Sequence, residues 1–201
     1  MPTIHYLKEE EVIFFNKKLV EFSRDPHSVI NPANLSSNIE MMQLKYEHLP
    51  TFEEKMLWKA AFWLKNMVHS GHAFVEGNKR TAILSTLVFL SMNGFFFRSQ
   101  NPKSQNNIVT FVKAVAEGKH TLSSVKKWLS ASTMSVTEHD IDGILSEAEA
   151  EMSKLKNLVR SRCSYSPKRR YEKPLRQLQL RLFLLDARTS SIRALQIFFK
   201  K

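Results

Sequence analysis

Asn78-Lys79-Arg80-Thr81-Ala82-Ile83-Leu84-Ser85-Thr86-Leu87-Val88-Phe89-Leu90-Ser91-Met92-Asn93-Gly94 is the stretch from which the fold is read. Ala82, Ile83, Leu87, Phe89 and Leu90 recur at helical spacing, and apolar residues take most of the circumference. Such a helix belongs in the middle of a core. Asn93-Gly94 is a stop signal. Phe95-Phe96-Phe97 follows as a short strand or packed turn.

Helices are expected on both sides. Thr51, with Glu54 three residues on, is a capping-box pattern, and Phe52, Leu57, Ala60, Ala61, Leu64 and Val68 repeat behind it at helical spacing. Trp58 and Trp63 of this helix are read as structural. A first helix is expected over residues 7–22 and a short one over 35–46 capped by Asn34, joined by a polar connection containing Pro26 and Pro32. Ile108, Val109, Val112 and Val115 mark a helix ending before Gly118. Thr121 can cap the next, with Val125, Trp128 and Leu129 on its apolar face. The small polar string 130–137 reads as a boundary. Beyond it, Ile141, Ile144, Leu145 and Ala148 predict a helix over 138–159. A basic loop over 160–174 and a last helix over 175–199 follow. With only 5 glycines and 7 prolines, tight hairpins should be scarce. The expectation is an all-α protein, with a helical core over residues 1–132 and a basic helical extension over 133–201.

The net charge of +11 is unevenly spread. From Lys154 onward there are 14 Lys plus Arg against 2 acidic residues; the rest of the chain is close to neutral. No apolar run approaches the roughly 20 residues that span a bilayer, and the opening residues lack a secretory pattern. The single cysteine, Cys163, can form no internal disulfide. A cytoplasmic location without membrane association is expected.

The chemistry lies just ahead of the central helix, in His72-Ala73-Phe74-Val75-Glu76-Gly77-Asn78-Lys79-Arg80-Thr81-Ala82. The first N–H groups of a helix have no acceptor one turn earlier and sit at the positive end of its dipole, so they can hold phosphate oxygens. Gly77 would let that backbone approach an anion. Arg80 can grip two oxygens at once, and Lys79 acts more as a point charge. Cations are disfavoured at a helix N-terminus, and an anion would offset that. Glu76 is a hard oxygen ligand, suited to a Mg²⁺ carried by a nucleotide. Histidine exchanges protons near neutral pH, so His72 can take one from an incoming hydroxyl. The glycine spacing and trailing Ser or Thr of a P-loop are absent.

The string resembles the signature of Fic/Doc proteins, and the death-on-curing (Doc) toxin branch in particular. The likeness extends over roughly residues 4–130. It implies a compact helical core in which His72 is the catalytic base and Phe74 anchors the loop. Glu76 takes the metal-linked acidic position, and Gly77, Asn78 and Arg80 form the anion nest and phosphate grip. ATP and Mg²⁺ are the implied cofactors. Lys79 stands where AMP-transferring members usually have glycine, whereas Doc-like members have lysine. The studied representative of that branch phosphorylates a translation elongation factor. The resemblance therefore implies a kinase acting on Ser or Thr of a target protein, such as a translation factor, with AMP transfer as the alternative. It also implies an antitoxin partner covering the cleft. The chain departs from the family at Ala73, usually proline, at Glu76, where aspartate is common, and in its long C-terminal continuation.

Three further features complete the reading. Ser36 and Glu40 fit the spacing of the inhibitory helix of some Fic proteins, against the reading of an ordinary helix surface. His69, three residues before His72, invites a metal reading, but no third ligand stands at a recognisable spacing. Lys168, Arg169 and Arg170, interleaved with Tyr165 and Tyr171, could contact nucleic acid or an acidic partner. A non-catalytic protein acting through that tail is the competing functional class.

Overall fold

The computed structural model describes residues 3–97, 102–135 and 138–163. Over these residues the chain is mostly helical. The order is α1 (Glu9–Ser23), α2 (Pro32–Leu44), α3 (Phe52–His69), α4 (Asn78–Met92), β1 (Phe95–Phe97), α5 (Pro102–Ala116), α6 (Leu122–Ser132), β2 (Thr133–Ser135) and α7 (Glu138–Cys163). None of the described helices is long and apolar enough to cross a membrane.

α4 is the central helix. Ala82, Leu84, Val88, Phe89 and Leu90 are buried, and so are its small polar residues Thr81, Ser85 and Thr86. Those hydroxyls are accommodated locally. Ser85 Oγ donates to the Thr81 carbonyl at 2.7 Å, and Thr86 Oγ1 to that of Ala82 at 2.6 Å. Ser85 Oγ also accepts from Trp63 Nε1 at 2.8 Å, which ties α3 to α4 through the largest buried side chain. Trp58, one turn and a fraction away, is half-buried and stacks on Tyr46.

The caps show where the sequence reading held and where it moved. Thr51 Oγ1 accepts from the Glu54 N–H at 3.1 Å, and Thr121 Oγ1 from that of Ser124 at 3.2 Å. The second helix, expected from Leu35 with Asn34 as cap, starts three residues earlier. Asn31 is the cap, accepting from Asn34 N–H at 3.1 Å, and Pro32 takes the first helical position, where its missing N–H costs nothing.

The all-α expectation is corrected by a two-stranded ribbon. Phe95 pairs with Ser135, Phe96 with Met134 and Phe97 with Thr133, antiparallel. Residues 133–135, read from the sequence as part of a boundary, are therefore a strand. Thr133–Ser135 closes onto the strand that follows α4, although the sequence placed it beyond the core. The pairing joins segments far apart in sequence, and hydrophobic periodicity carries no information about such a partner. In α7, Leu145, Met152 and Leu155 are buried. The expected helix over 175–199 lies outside the described residues.

Candidate active site

The stretch from Gly71 to Gly77 joins α3 to α4, and a strap over residues 28–31 holds it in place. Val29 and Phe74 form an antiparallel bridge. Ile30 N–H donates to the Ala73 carbonyl at 2.8 Å, and Val75 N–H to that of Ser28 at 3.1 Å. Phe74 points inward and is 1% exposed, which fits the anchoring role expected of it. Ala73, where the family usually has proline, is fully buried, and its carbonyl takes two strap amides.

The Asn78 side chain is used inside the loop. Its Nδ2 donates to the Phe74 carbonyl at 2.6 Å, and its Oδ1 accepts from the Phe74 N–H at 3.1 Å. This closes a tight turn before α4, so the Asn78 amide shapes the loop and leaves anion binding to backbone. The N–H groups of Gly77, Asn78, Lys79 and Arg80 have no acceptor among the described residues; the first α4 amide with one is Thr81, donating to Gly77 at 2.8 Å. Four such donors at a helix start form an anion-binding row.

Packing gives a reason for glycine at position 77. Its φ is +82°, and a Cβ there would lie 2.8 Å from Val20 Cγ1 and 2.9 Å from Asn16 Nδ2. The missing side chain makes room for α1. Asn16 is itself fully buried. Its Nδ2 donates to the Glu76 carbonyl at 2.8 Å and to Thr81 Oγ1 at 3.0 Å, and its Oδ1 faces His27 Nδ1 at 2.9 Å. A carbonyl can only accept, so the amide orientation is unambiguous and His27 carries its proton on Nδ1. Asn16 thus braces both sides of Gly77. The sequence reading missed it. Its signal was a polar residue on the apolar stripe of α1, beside Val12, Leu19 and Val20.

The polar side chains of the motif divide into two groups. His72, Glu76 and Lys79 are exposed. Among the described residues neither the His72 ring nor the Glu76 carboxylate has a hydrogen-bond partner, so both are available to ligands. No group of three His, Cys, Asp or Glu able to enclose a metal stands among the described residues. One hard carboxylate next to a phosphate site suits Mg²⁺, which keeps waters and phosphate oxygens as its other ligands. Glu76 would hold it, and the amide row with Arg80 would hold the nucleotide's phosphates.

Arg80 is already engaged. Its Nη1 donates to Ser23 Oγ, and its Nη2 to Asp25 Oδ2 at 2.6 Å. The Leu19 carbonyl is 3.5 Å from Nη1. The Asp25 carboxyl is held below its usual range, first by the hydrogen bond from Ser23 and then by Arg80. The sequence reading had Arg80 grip two phosphate oxygens; the structure engages its Nη1 and Nη2 with the end of α1. Lys79 is felt at Glu117, in the turn after α5. That carboxyl lies below its ordinary range, mainly through the hydrogen bond and charge of Lys119, with Lys113 and Lys79 adding to it.

The remaining candidates lie apart from this row. His69 Nδ1 meets the Ala116 carbonyl at 3.1 Å, and its ring packs at Gly118. Ser36 donates to Glu9 Oε2 at 2.6 Å, joining α2 to α1, and Glu40 is exposed. Lys168, Arg169 and Arg170 lie outside the described residues.

A helical core thus presents a braced loop, a row of open amides, and a histidine and a carboxylate without hydrogen-bond partners among the described residues, an arrangement suited to holding phosphate. Residues 6–90 match the family model described as Fic/DOC family. No curated protein matches the chain.

Proposed function

We propose that the chain transfers the AMP moiety of ATP to a hydroxyl of a target protein. The observation that carries this reading is the open amide row from Gly77 to Arg80, on the same short segment as the unpartnered His72 and Glu76. His72 takes the proton of the incoming Ser or Thr hydroxyl. The hydroxyl oxygen then bonds to the α-phosphorus, the bond from that phosphorus to the bridging oxygen breaks, and pyrophosphate leaves. The amides and Arg80 stabilise charge gathering on the phosphate oxygens. When bound, Mg²⁺ supplies charge neutralisation on the leaving phosphates.

The match of residues 6–90 to the Fic/DOC family model supports transfer of a nucleotide moiety. The identity of Lys79 supports a second reading, transfer of the γ-phosphoryl group with ADP leaving, as in the Doc-like branch.

ATP labelled separately on the α- and γ-phosphates, incubated with the chain and candidate target proteins, tests both. Protein label from the α-phosphate, lost in His72→Ala, is the expected result. Label from the γ-phosphate alone replaces it with phosphoryl transfer. No label from either, together with no ATP binding, overturns the assignment.

A further inference from the structure

We propose that Asp25 is a positioning residue of this site: with Ser23 it holds one edge of the Arg80 guanidinium so that the other edge is presented to a nucleotide phosphate. The proposal rests on the reading of the preceding subsection and adds to it a residue outside the motif.

Arginine has two planar hydrogen-bonding edges, one formed by Nη1 and Nη2 and the other by Nε and the nearer Nη2 proton. Asp25 Oδ2 accepts from Nη2, Ser23 Oγ accepts from Nη1, and the two acceptors are 2.5 Å apart, joined by their own hydrogen bond. Two acceptors so close together span the Nη1–Nη2 edge. No acceptor among the described residues engages Nε. Nη2 lies 3.8 Å from where a Cβ on Gly77 would be, so the guanidinium sits beside the start of the amide row. Side-chain exposure of 38% leaves it open to a ligand.

The turn that carries Asp25 is itself fixed. Arg24 adopts a left-handed conformation with φ 60°. Arg24 N–H donates to the Glu21 carbonyl at 3.3 Å, and Asp25 N–H to that of Val20 at 3.0 Å. This is a Schellman ending of α1. A non-glycine residue in that conformation costs about 1 kcal/mol. The strain is confined to the residue that aims Asp25 at Arg80.

The opposite role, an internal anion that competes with phosphate for Arg80, makes the opposite prediction. Positioning requires that removing Asp25 weaken nucleotide binding; competition requires that it strengthen binding.

The test measures ATP affinity by calorimetry, and KM and kcat with labelled ATP, on the full chain. Thermal denaturation of each variant confirms folding. Asp25→Ala is expected to weaken ATP binding about tenfold, with the larger effect in KM. Asp25→Glu should recover part of the loss. In an Arg80→Ala background, Asp25→Ala should add nothing, because Asp25 acts through Arg80. Tighter or unchanged ATP binding in Asp25→Ala, while Arg80→Ala weakens it, overturns the positioning role and leaves the transferase reading intact. Additive losses in the double variant also overturn it. A wild-type chain that binds no ATP overturns the transferase reading, and the proposal with it.

Discussion

The Nζ of Lys59 lies 2.7 Å from Oε1 of Glu47, although the lysine side chain is fully buried and the glutamate is half exposed. The same Nζ donates to the carbonyls of Met42 and Gln43 at 2.8 Å and Lys45 at 2.6 Å. It therefore satisfies the free carbonyls at the end of α2 from a neighbouring helix. Burial pulls the pKa of Lys59 down against the pull of Glu47, while the Lys59 hydrogen bond pulls Glu47 down. Both shifts are downward because desolvation dominates at the buried partner and attraction dominates at the exposed one.

Lys59→Met should keep the apolar stem and remove the donor. The α2 carbonyls are then left beside a thioether. The expected loss is about 2–4 kcal/mol in urea denaturation, by the cost of stranding buried acceptors. Lys55→Met is the control, since its Nζ reaches only Glu47, at 3.4 Å, and should change stability by less than about 1 kcal/mol.

The Glu47 carboxyl also sets a pH dependence. Its folded pKa lies below the ordinary value, so the folded state favours the ionised form. The stabilisation is present above the unfolded pKa of about 4.3 and is lost as the pH falls through the lowered folded value. The stability difference between wild type and Glu47→Gln should therefore be constant near pH 7 and shrink on acidification toward pH 3. A difference that grows instead would reverse the assignment. The half-exposed position keeps the effect to about 1 kcal/mol.

The sequence made the central helix legible because α4 needs no partner to be recognised: its apolar residues take most of its circumference. The motif was equally legible, since its residues are contiguous. Tertiary pairings were not. Thr133–Ser135 joins Phe95–Phe97 across the whole of α5 and α6. Asn31 caps α2 because Pro32 begins it, whereas the sequence reading placed the cap at Asn34. Asp25 and Asn16 reach the motif across more than 50 residues, and only the fold brings such residues together. The crowding at Gly77 was not visible in the sequence, because it comes from Val20 and Asn16 on another helix.

Gly77→Ala follows from that crowding. The new methyl group meets Val20 Cγ1 and Asn16 Nδ2 below 3.0 Å, on a backbone at φ +82° that alanine adopts poorly. The expected cost is about 2–4 kcal/mol from strain and overpacking together. Because the amide row begins at this residue, nucleotide binding should fall with stability. Val20→Ala removes one of the two clashes. It should restore part of the ATP affinity of Gly77→Ala, measured by calorimetry, despite the cavity it opens.

Asn16 makes a sharper case, because its substitutions can be ranked. Alanine removes three hydrogen bonds and strands the Glu76 carbonyl, costing about 1–3 kcal/mol. Aspartate has nearly the same shape and should be worse at neutral pH. Its ionised oxygen would face the Glu76 carbonyl, an acceptor against an acceptor, from a fully buried side chain. The order of stability expected is therefore Asn, then Ala, then Asp. Protonation turns the aspartate into a donor, so Asn16→Asp should gain on Asn16→Ala as the pH is lowered toward 4. Urea midpoints for the three proteins at pH 7.5 and pH 4.5 check both the ranking and its pH response. Aspartate more stable than alanine at pH 7.5 would mean that the Asn16 amide does not brace the loop as a donor.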